Sequence, residues 1–224
     1  METDTSTKKK TKNKKHQLSF AFAAPPHIAM KPPANNMDLV FSLCVAARDG
    51  DDMGIIELIH KGGNINLPTQ DDLGKTYPLL LSTINGHIKC VALLLSRGAD
   101  VNVSDDKGYT ALTYACELRN KPLVNLLLLR KADINAKDNN GNTALLFTSQ
   151  NDGNVSMVQF LLAKGANINH VNCLGASALF LAAAHNRLEV AEVLVEAEGC
   201  DINRRDNNGG SPLLISSLNG KFVW

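Results

Sequence analysis

Apolar residues along the chain fall into short runs that are separated by polar turns. In LLLSRGADVNVSDDKGYTAL, residues 93–112, three leucines lead to Gly98, DDKG forms a polar turn, and another apolar run begins after Thr110. Thr110 suits a helix start, Pro122 suits the first turn of a second helix, and Gly108 suits a turn position that a β-carbon would strain. The pattern predicts pairs of short helices, each followed by a turn.

Two motifs recur in the same order, with steps of 33 to 36 residues between copies of the first. The first motif is GGNIN, GADVN, KADIN, GANIN and GCDIN, and it ends at Asn66, Asn102, Asn135, Asn169 and Asn203. The second motif opens each apolar run and is TYPLLLS, YTALTYA, NTALLFT, ASALFLA and GSPLLIS. A single helix pair cannot bury both of its apolar sides, whereas stacked pairs can. The period therefore predicts a solenoid in which each unit packs on the next.

These motifs resemble the ankyrin-repeat family, whose units of about 33 residues carry a T-P-L-H-x-A core. The resemblance covers residues 37–224. It implies an all-α solenoid of helix-turn-helix units with projecting β-turn or hairpin loops, in about five full copies and an incomplete C-terminal half copy. The approximate units are 37–70, 71–104, 105–137, 138–171, 172–205 and 206–224. The family's histidine is replaced by Leu80, Thr113, Leu146, Phe180 and Leu214, and Lys131 replaces a helix-ending glycine.

Charge and periodicity divide the chain into a tail and a body. Residues 1–36 show no periodicity, contain four prolines and carry seven lysines against Glu2 and Asp4, which predicts a disordered basic tail. Residues 37–224 carry sixteen basic against twenty acidic residues and are mildly acidic. Because only 5% of the whole chain is aromatic while 44% is hydrophobic, small aliphatic side chains must form most of the core.

The basic tail contains a lysine run that has three interpretations. It is a solubilising segment, a nuclear-localisation sequence that binds an acidic groove of an import receptor, or a segment attracted to nucleic acid or acidic membranes. Arginines and stacking aromatic residues do not interleave the lysines, which disfavours a nucleic-acid partner. The run consists of Lys8, Lys9, Lys10, Lys12, Lys14 and Lys15.

The residue types that are common in catalytic and metal-binding sites form no recognised motif in this sequence. The five cysteines are odd in number and lack a CxxC pair, which predicts reduced thiols. The histidines lack zinc-site spacing, and GxSxG, Walker and Rossmann patterns are missing. No apolar run reaches the roughly 20 residues of a membrane span. We predict no enzyme activity, cofactor, metal, small-molecule substrate or membrane span, and a cytoplasmic location, or a nuclear one if the lysine run directs import.

The resemblance implies a protein-interaction module or adaptor that binds a protein partner through its turns and a concave face. We expect the partner to span the turns after Asn102, Asn135 and Asn169, because complete copies flank them. The alternative is a regulatory or targeting fragment of a larger protein whose catalytic domain lies outside this chain, since the last copy lacks a second helix. The candidate partner-binding residues are Asp106, Lys107, Tyr109, Leu118, Lys137, Asn139, Asn140, Asn142, Cys173, Leu174 and Arg205.

Overall fold

The computed structural model describes residues 36–71, 74–151 and 154–218. The predicted tail and its lysine run lie outside these ranges. Just over half of the described residues are helical, as the repeat pattern predicts. The described helices are α1 (Asn36–Asp49), α2 (Asp52–His60), α3 (Pro78–Ile84), α4 (Ile88–Ser96), α5 (Ala111–Glu117), α6 (Lys121–Leu129), α7 (Ala144–Gln150), α8 (Val155–Ala163), α9 (Ala178–Ala184), α10 (Leu188–Glu196) and α11 (Pro212–Leu218).

Extended structure in the described ranges is confined to the turns. Strand β1 (Thr69–Asp71) pairs antiparallel with β2 (Gly74–Thr76), with Thr69 opposite Thr76. Two further turns close with single antiparallel bridges, Ser104 with Thr110 and Val171 with Ser177. The all-α repeat fold predicted from the sequence is therefore confirmed.

Hydroxyl side chains start the first helix of several pairs, as expected for Thr110. The hydroxyl oxygens of Thr110, Thr143 and Ser177 each accept a hydrogen bond from the backbone N–H three residues later, at 3.2 to 3.4 Å. Such caps satisfy an N–H that has no partner within the helix. Helix α6 begins after Asn120, whose side-chain oxygen accepts the Leu123 N–H at 3.1 Å, and Pro122 lies in its first turn as predicted.

Most second helices are followed by a residue with positive φ. Gly62, Gly98 and Gly165, each two residues after the end of α2, α4 or α8, have φ between 88° and 92°, and Lys131 has φ 66° at the equivalent place after α6. Gly199 has φ 78° but lies three residues after α10, whose C-cap Ala197 is extended, so the prediction that Gly199 ends that helix is wrong. A β-carbon added to any of these four glycines would meet no atom within 4 Å. A lysine is therefore sterically accommodated at position 131, and its cost lies in the backbone conformation alone.

The helices pack in two rows that enclose the core. In the first row α1, α3, α5, α7, α9 and α11 pack in that order. The second row is formed by α2, α4, α6, α8 and α10, each packed on the preceding helix of the first row, with α4 also on α2 and α10 also on α8. Fully buried leucines come from both rows, including Leu112 and Leu145 from the first and Leu127 and Leu161 from the second. Two positions of the family's histidine, Leu80 and Leu146, are also fully buried. Apolar packing takes the place of a histidine network there.

The asparagines that mark the sequence period link each pair of helices to the next. The Asn102 side-chain oxygen accepts the Asp133 N–H at 2.9 Å, and the Asn135 side-chain oxygen accepts the Asn167 N–H at 2.9 Å. The same bond joins Asn66 to Asp100 and Asn169 to Asp201, each at 2.8 Å. We call this series the asparagine ladder. It fixes the spacing of successive units and therefore of their turns.

Candidate functional site

Four turns of the chain share one construction. Each begins at Asp105, Asp138, Asn172 or Asp206, whose side-chain Oδ1 accepts the backbone N–H groups two and four residues later, at 2.6 to 3.1 Å. A glycine with φ between 75° and 81° follows three residues after each. Aspartate and asparagine close turns in this way because their short side chains reach the nearby backbone.

Successive turns are hydrogen-bonded to one another through their backbones. The Asn139 N–H donates to the Lys107 carbonyl at 3.0 Å, the Cys173 N–H to Asn140 at 2.9 Å, and the Asn207 N–H to Leu174 at 3.0 Å. The Asn139 and Asn207 side-chain amides donate to the carbonyls of Asp106 and Cys173, at 2.7 and 2.9 Å. The turns therefore form a continuous row instead of independent loops.

The structure places most of the predicted binding residues on the surface of this row. Leu174 is 68% exposed, and Leu118, at the end of α5, is 46% exposed. Asp106, Lys107, Lys137, Asn139, Asn140, Cys173 and Arg205 are also exposed. Tyr109 and Asn142 are half-buried. The side chain of Asn142 is used within the row, because it donates to Asp138 at 3.0 Å and accepts from the Asn172 amide at 2.9 Å.

Three aromatic side chains meet beside the first two of these turns. The ring centroid of Tyr109 lies 5.8 Å from that of Tyr114 in α5 and 5.8 Å from that of Phe147 in α7, both in edge-to-face geometry. The Tyr114 hydroxyl donates to Asp105 Oδ2 at 2.6 Å. We call Tyr109, Tyr114 and Phe147 the aromatic cluster. Together with the row of turns and the exposed end of α5, Glu117 and Leu118, it forms what we call the turn face.

Tyr109 was among the candidate residues predicted from the sequence, whereas Tyr114 and Phe147 were not. A signal for both was present, because each lies four residues after its capping threonine, Thr110 or Thr143. Comparing the copies position by position shows two aromatic side chains in consecutive units at a place that Leu81, Leu181 and Ile215 fill elsewhere.

Burial and carboxylates shape the electrostatics around the aromatic cluster. Burial raises the pKa of Tyr109, and the charges of Asp138, Glu117 and Asp105 raise it further. Burial and the hydrogen bond to Asp105 likewise raise the pKa of Tyr114. The pKa of Glu117 is also raised by burial, and the charge of Lys107 partly offsets that shift. The cluster is thus half-buried, and carboxylates lie close to it.

Two buried cysteines show no features of a nucleophile. Burial, followed by a hydrogen bond to Asp52 at 2.8 Å, raises the pKa of Cys90 to about 12, and burial raises the pKa of Cys116 to about 12. Both thiols stay protonated at neutral pH, whereas nucleophilic cysteines need a lowered pKa. Within the described ranges, three or more histidine, cysteine or acidic side chains do not gather as a metal site would require.

The helices and turns together define a class of protein, a solenoid of stacked helical hairpins whose turns are bonded side by side. A family model described as ankyrin repeats, in three copies, matches residues 43–138 and 119–206. The chain belongs to the ankyrin-repeat family, as the sequence motifs indicated. In the described ranges, every helix is too short or too polar to cross a membrane.

Two relatives share a short segment with this chain. Ankyrin repeat domain-containing protein 13B of Mus musculus and its Homo sapiens counterpart are each 38% identical over 64 residues. The matched segment is 29% of this chain and 10% of either relative. The chain therefore spans about a tenth of the length of the curated relatives it matches, and the likeness concerns the repeat alone.

Proposed function

We propose that this chain is an adaptor that binds a protein partner through the turn face. Ankyrin repeats are generally protein-interaction modules. The observation that supports this particular face is the continuous hydrogen-bonded row of turns beside the partly exposed aromatic cluster. A surface whose backbone is already ordered loses less entropy on binding than separate flexible loops would.

The residues that the turn face exposes suit a protein interface. Leu118 and Leu174 are large apolar side chains in contact with water, and Tyr109 presents a partly buried aromatic ring. Tyrosine is enriched among the residues that anchor interfaces, whereas scattered polar contacts contribute little. We propose that these three residues anchor the partner and that Asp106, Lys107 and Lys137 form a polar rim.

A second proposal is that the chain supplies a targeting or regulatory segment of a larger protein. It is supported by the relatives, whose matched segment is a tenth of their length. Sequencing the complete reading frame of the transcript distinguishes the two proposals. A catalytic domain in the same frame supports the second, and a frame that ends at Trp224 supports the adaptor.

The adaptor proposal is tested by placing a photoreactive amino acid at two exposed leucines. Leu118 is on the turn face, whereas Leu129, which is 72% exposed, ends α6 in the second row of helices. Leu129 borders a shallow groove of about 300 Å³ with Ile134 and Lys164, which makes it a competing surface. We expect crosslinked protein partners from position 118 and few from position 129. Crosslinks from position 129 alone would show that the partner binds the other side.

A further inference from the structure

Among the described residues, no ion pair neutralises the carboxylates beside the aromatic cluster. The ion pairs between two described residues, Arg48 with Asp49 and Lys61 with Glu57, lie far along the chain from the cluster. The oxygens of Asp105 are held by two backbone N–H groups and the Tyr114 hydroxyl, none of which brings a positive charge. Beside the cluster, four carboxylates stand against two exposed lysines, so negative charge predominates there; they are Asp105, Asp106, Glu117 and Asp138 against Lys107 and Lys137.

Glu117 differs from the turn aspartates because the described residues give its carboxylate no hydrogen bond. It lies at the end of α5, is exposed, and has Lys107 as the nearby positive charge that acts on it. A carboxylate whose oxygens accept no hydrogen bond within the molecule can accept one from a cationic side chain of a bound partner, and such charge-assisted hydrogen bonds are stronger than neutral ones.

Other rings of the same chain carry a cation, in contrast to those of the aromatic cluster as far as the described residues show. Lys75 lies over the Tyr77 ring at 5.1 Å, and Lys164 and Lys121 lie near the Phe160 ring at 5.4 and 6.0 Å. Among the described residues, no lysine or arginine stands over Tyr109, Tyr114 or Phe147 in this way. Aromatic faces attract cations, and the attraction grows as the site is shielded from water.

From this arrangement we infer that the partner presents a lysine or arginine side chain, which packs against the half-exposed rings of the aromatic cluster and whose charge faces Glu117. The inference rests on the proposed function, because it names the chemistry of the partner on the turn face. Arginine suits the site better than lysine, since its planar guanidinium stacks on rings and donates to a carboxylate at the same time. An acidic segment would meet the carboxylates of Asp105, Asp106, Glu117 and Asp138 and would be repelled.

The experiment is a nuclear magnetic resonance titration of the full chain with three end-capped pentapeptides. They are Gly-Gly-X-Gly-Gly with X as arginine, norleucine or glutamate, so that charge is varied while the backbone stays the same. We expect the arginine peptide to shift the amides of Tyr109 and Glu117 saturably, the norleucine peptide to shift them less, and the glutamate peptide not to shift them. Equal shifts from arginine and norleucine, or no shift from arginine, would overturn the inference.

Two matched variants test whether the carboxylate of Glu117 attracts the arginine peptide. Glu117→Gln removes one carboxylate of the turn face, and Glu192→Gln removes an exposed carboxylate of α10. We expect Glu117→Gln to weaken the arginine peptide by roughly two- to fivefold and Glu192→Gln to leave it unchanged. Unchanged amide spectra elsewhere show that each variant is folded. An equal effect of both variants would mean that the peptide responds to overall charge and not to this site.

The crosslinking experiment separates this inference from the function on which it rests. If position 118 gives crosslinks but the arginine peptide shifts the amides no more than the norleucine peptide does, the turn face remains the binding surface and the cationic anchor is rejected. Crosslinks from position 129 alone would reject the turn face, and the cationic anchor with it.

Discussion

Lys131 follows α6 at the position where Gly62, Gly98 and Gly165 follow α2, α4 and α8. Its φ of 66° is unfavourable for a residue with a β-carbon, and the sequence alone predicted this from the motif position. We expect Lys131→Gly to raise the free energy of unfolding by about 1 kcal/mol. Urea unfolding followed by circular dichroism measures the change.

Arg130→Gly is the matched control for that substitution. Arg130 is also exposed and basic, but its φ is −92°. Glycine at this position therefore relieves no backbone strain, and it adds flexibility to the unfolded chain. We expect Arg130→Gly to lower stability. If both glycine variants change stability in the same direction, the positive φ of Lys131 is not the cause.

Alanine substitutions at Gly108 and Gly98 distinguish the stability cost of a positive φ from the cost of close packing. Both have positive φ, 81° and 88°, but a β-carbon at Gly108 would lie 2.8 Å from the Asn139 backbone nitrogen, whereas one at Gly98 meets nothing within 4 Å. We expect Gly108→Ala to cost about 1–3 kcal/mol more than Gly98→Ala, because the next turn must move. Thermal or urea unfolding of the two variants makes the comparison. Equal losses would show that the turns are not packed as closely as described.

At the scale of elements, the asparagine ladder joins neighbouring units. Asn135→Ala removes the acceptor of the Asn167 N–H, and we expect it to lower the free energy of unfolding by about 0.5–1.5 kcal/mol. Asn203→Ala is the control, because Asn203 has the same motif position and its side chain has no hydrogen bond among the described residues. We expect it to unfold like the parent in urea. A similar loss in both variants would assign the effect to local turn structure.

The helices could be predicted from local signals, and the contacts within the aromatic cluster could not. Thr110 caps a backbone N–H three residues later, and Pro122 has a φ that suits a first helical turn, so their positions alone indicate helix starts. Tyr109 and Phe147 are 38 residues apart in the sequence, and their contact depends on how one unit stacks on the next. A periodic pattern shows that units stack, but it does not give the distances between side chains of neighbouring units.

At the scale of the whole molecule, we predict separate roles for the tail and the repeats. Nuclear import is one of the three predicted roles of the run from Lys8 to Lys15. If the run directs import, residues 1–36 fused to a fluorescent reporter accumulate in nuclei, because clustered lysines suit an acidic receptor groove. Fluorescence microscopy measures the nuclear fraction, and a fusion with these lysines replaced by alanine is the control. An even distribution of both fusions would leave a solubilising role for the run.

The central claim is that the repeats bind a protein through the turn face, and titration calorimetry with the crosslinked partner tests it most directly. Leu174→Ala and Leu129→Ala each remove a leucine side chain of similar exposure, the first from the turn face and the second from the other row of helices. We predict that Leu174→Ala weakens binding by about 1–3 kcal/mol and that Leu129→Ala leaves the affinity unchanged. Parent-like binding of Leu174→Ala with lost binding of Leu129→Ala would contradict the account.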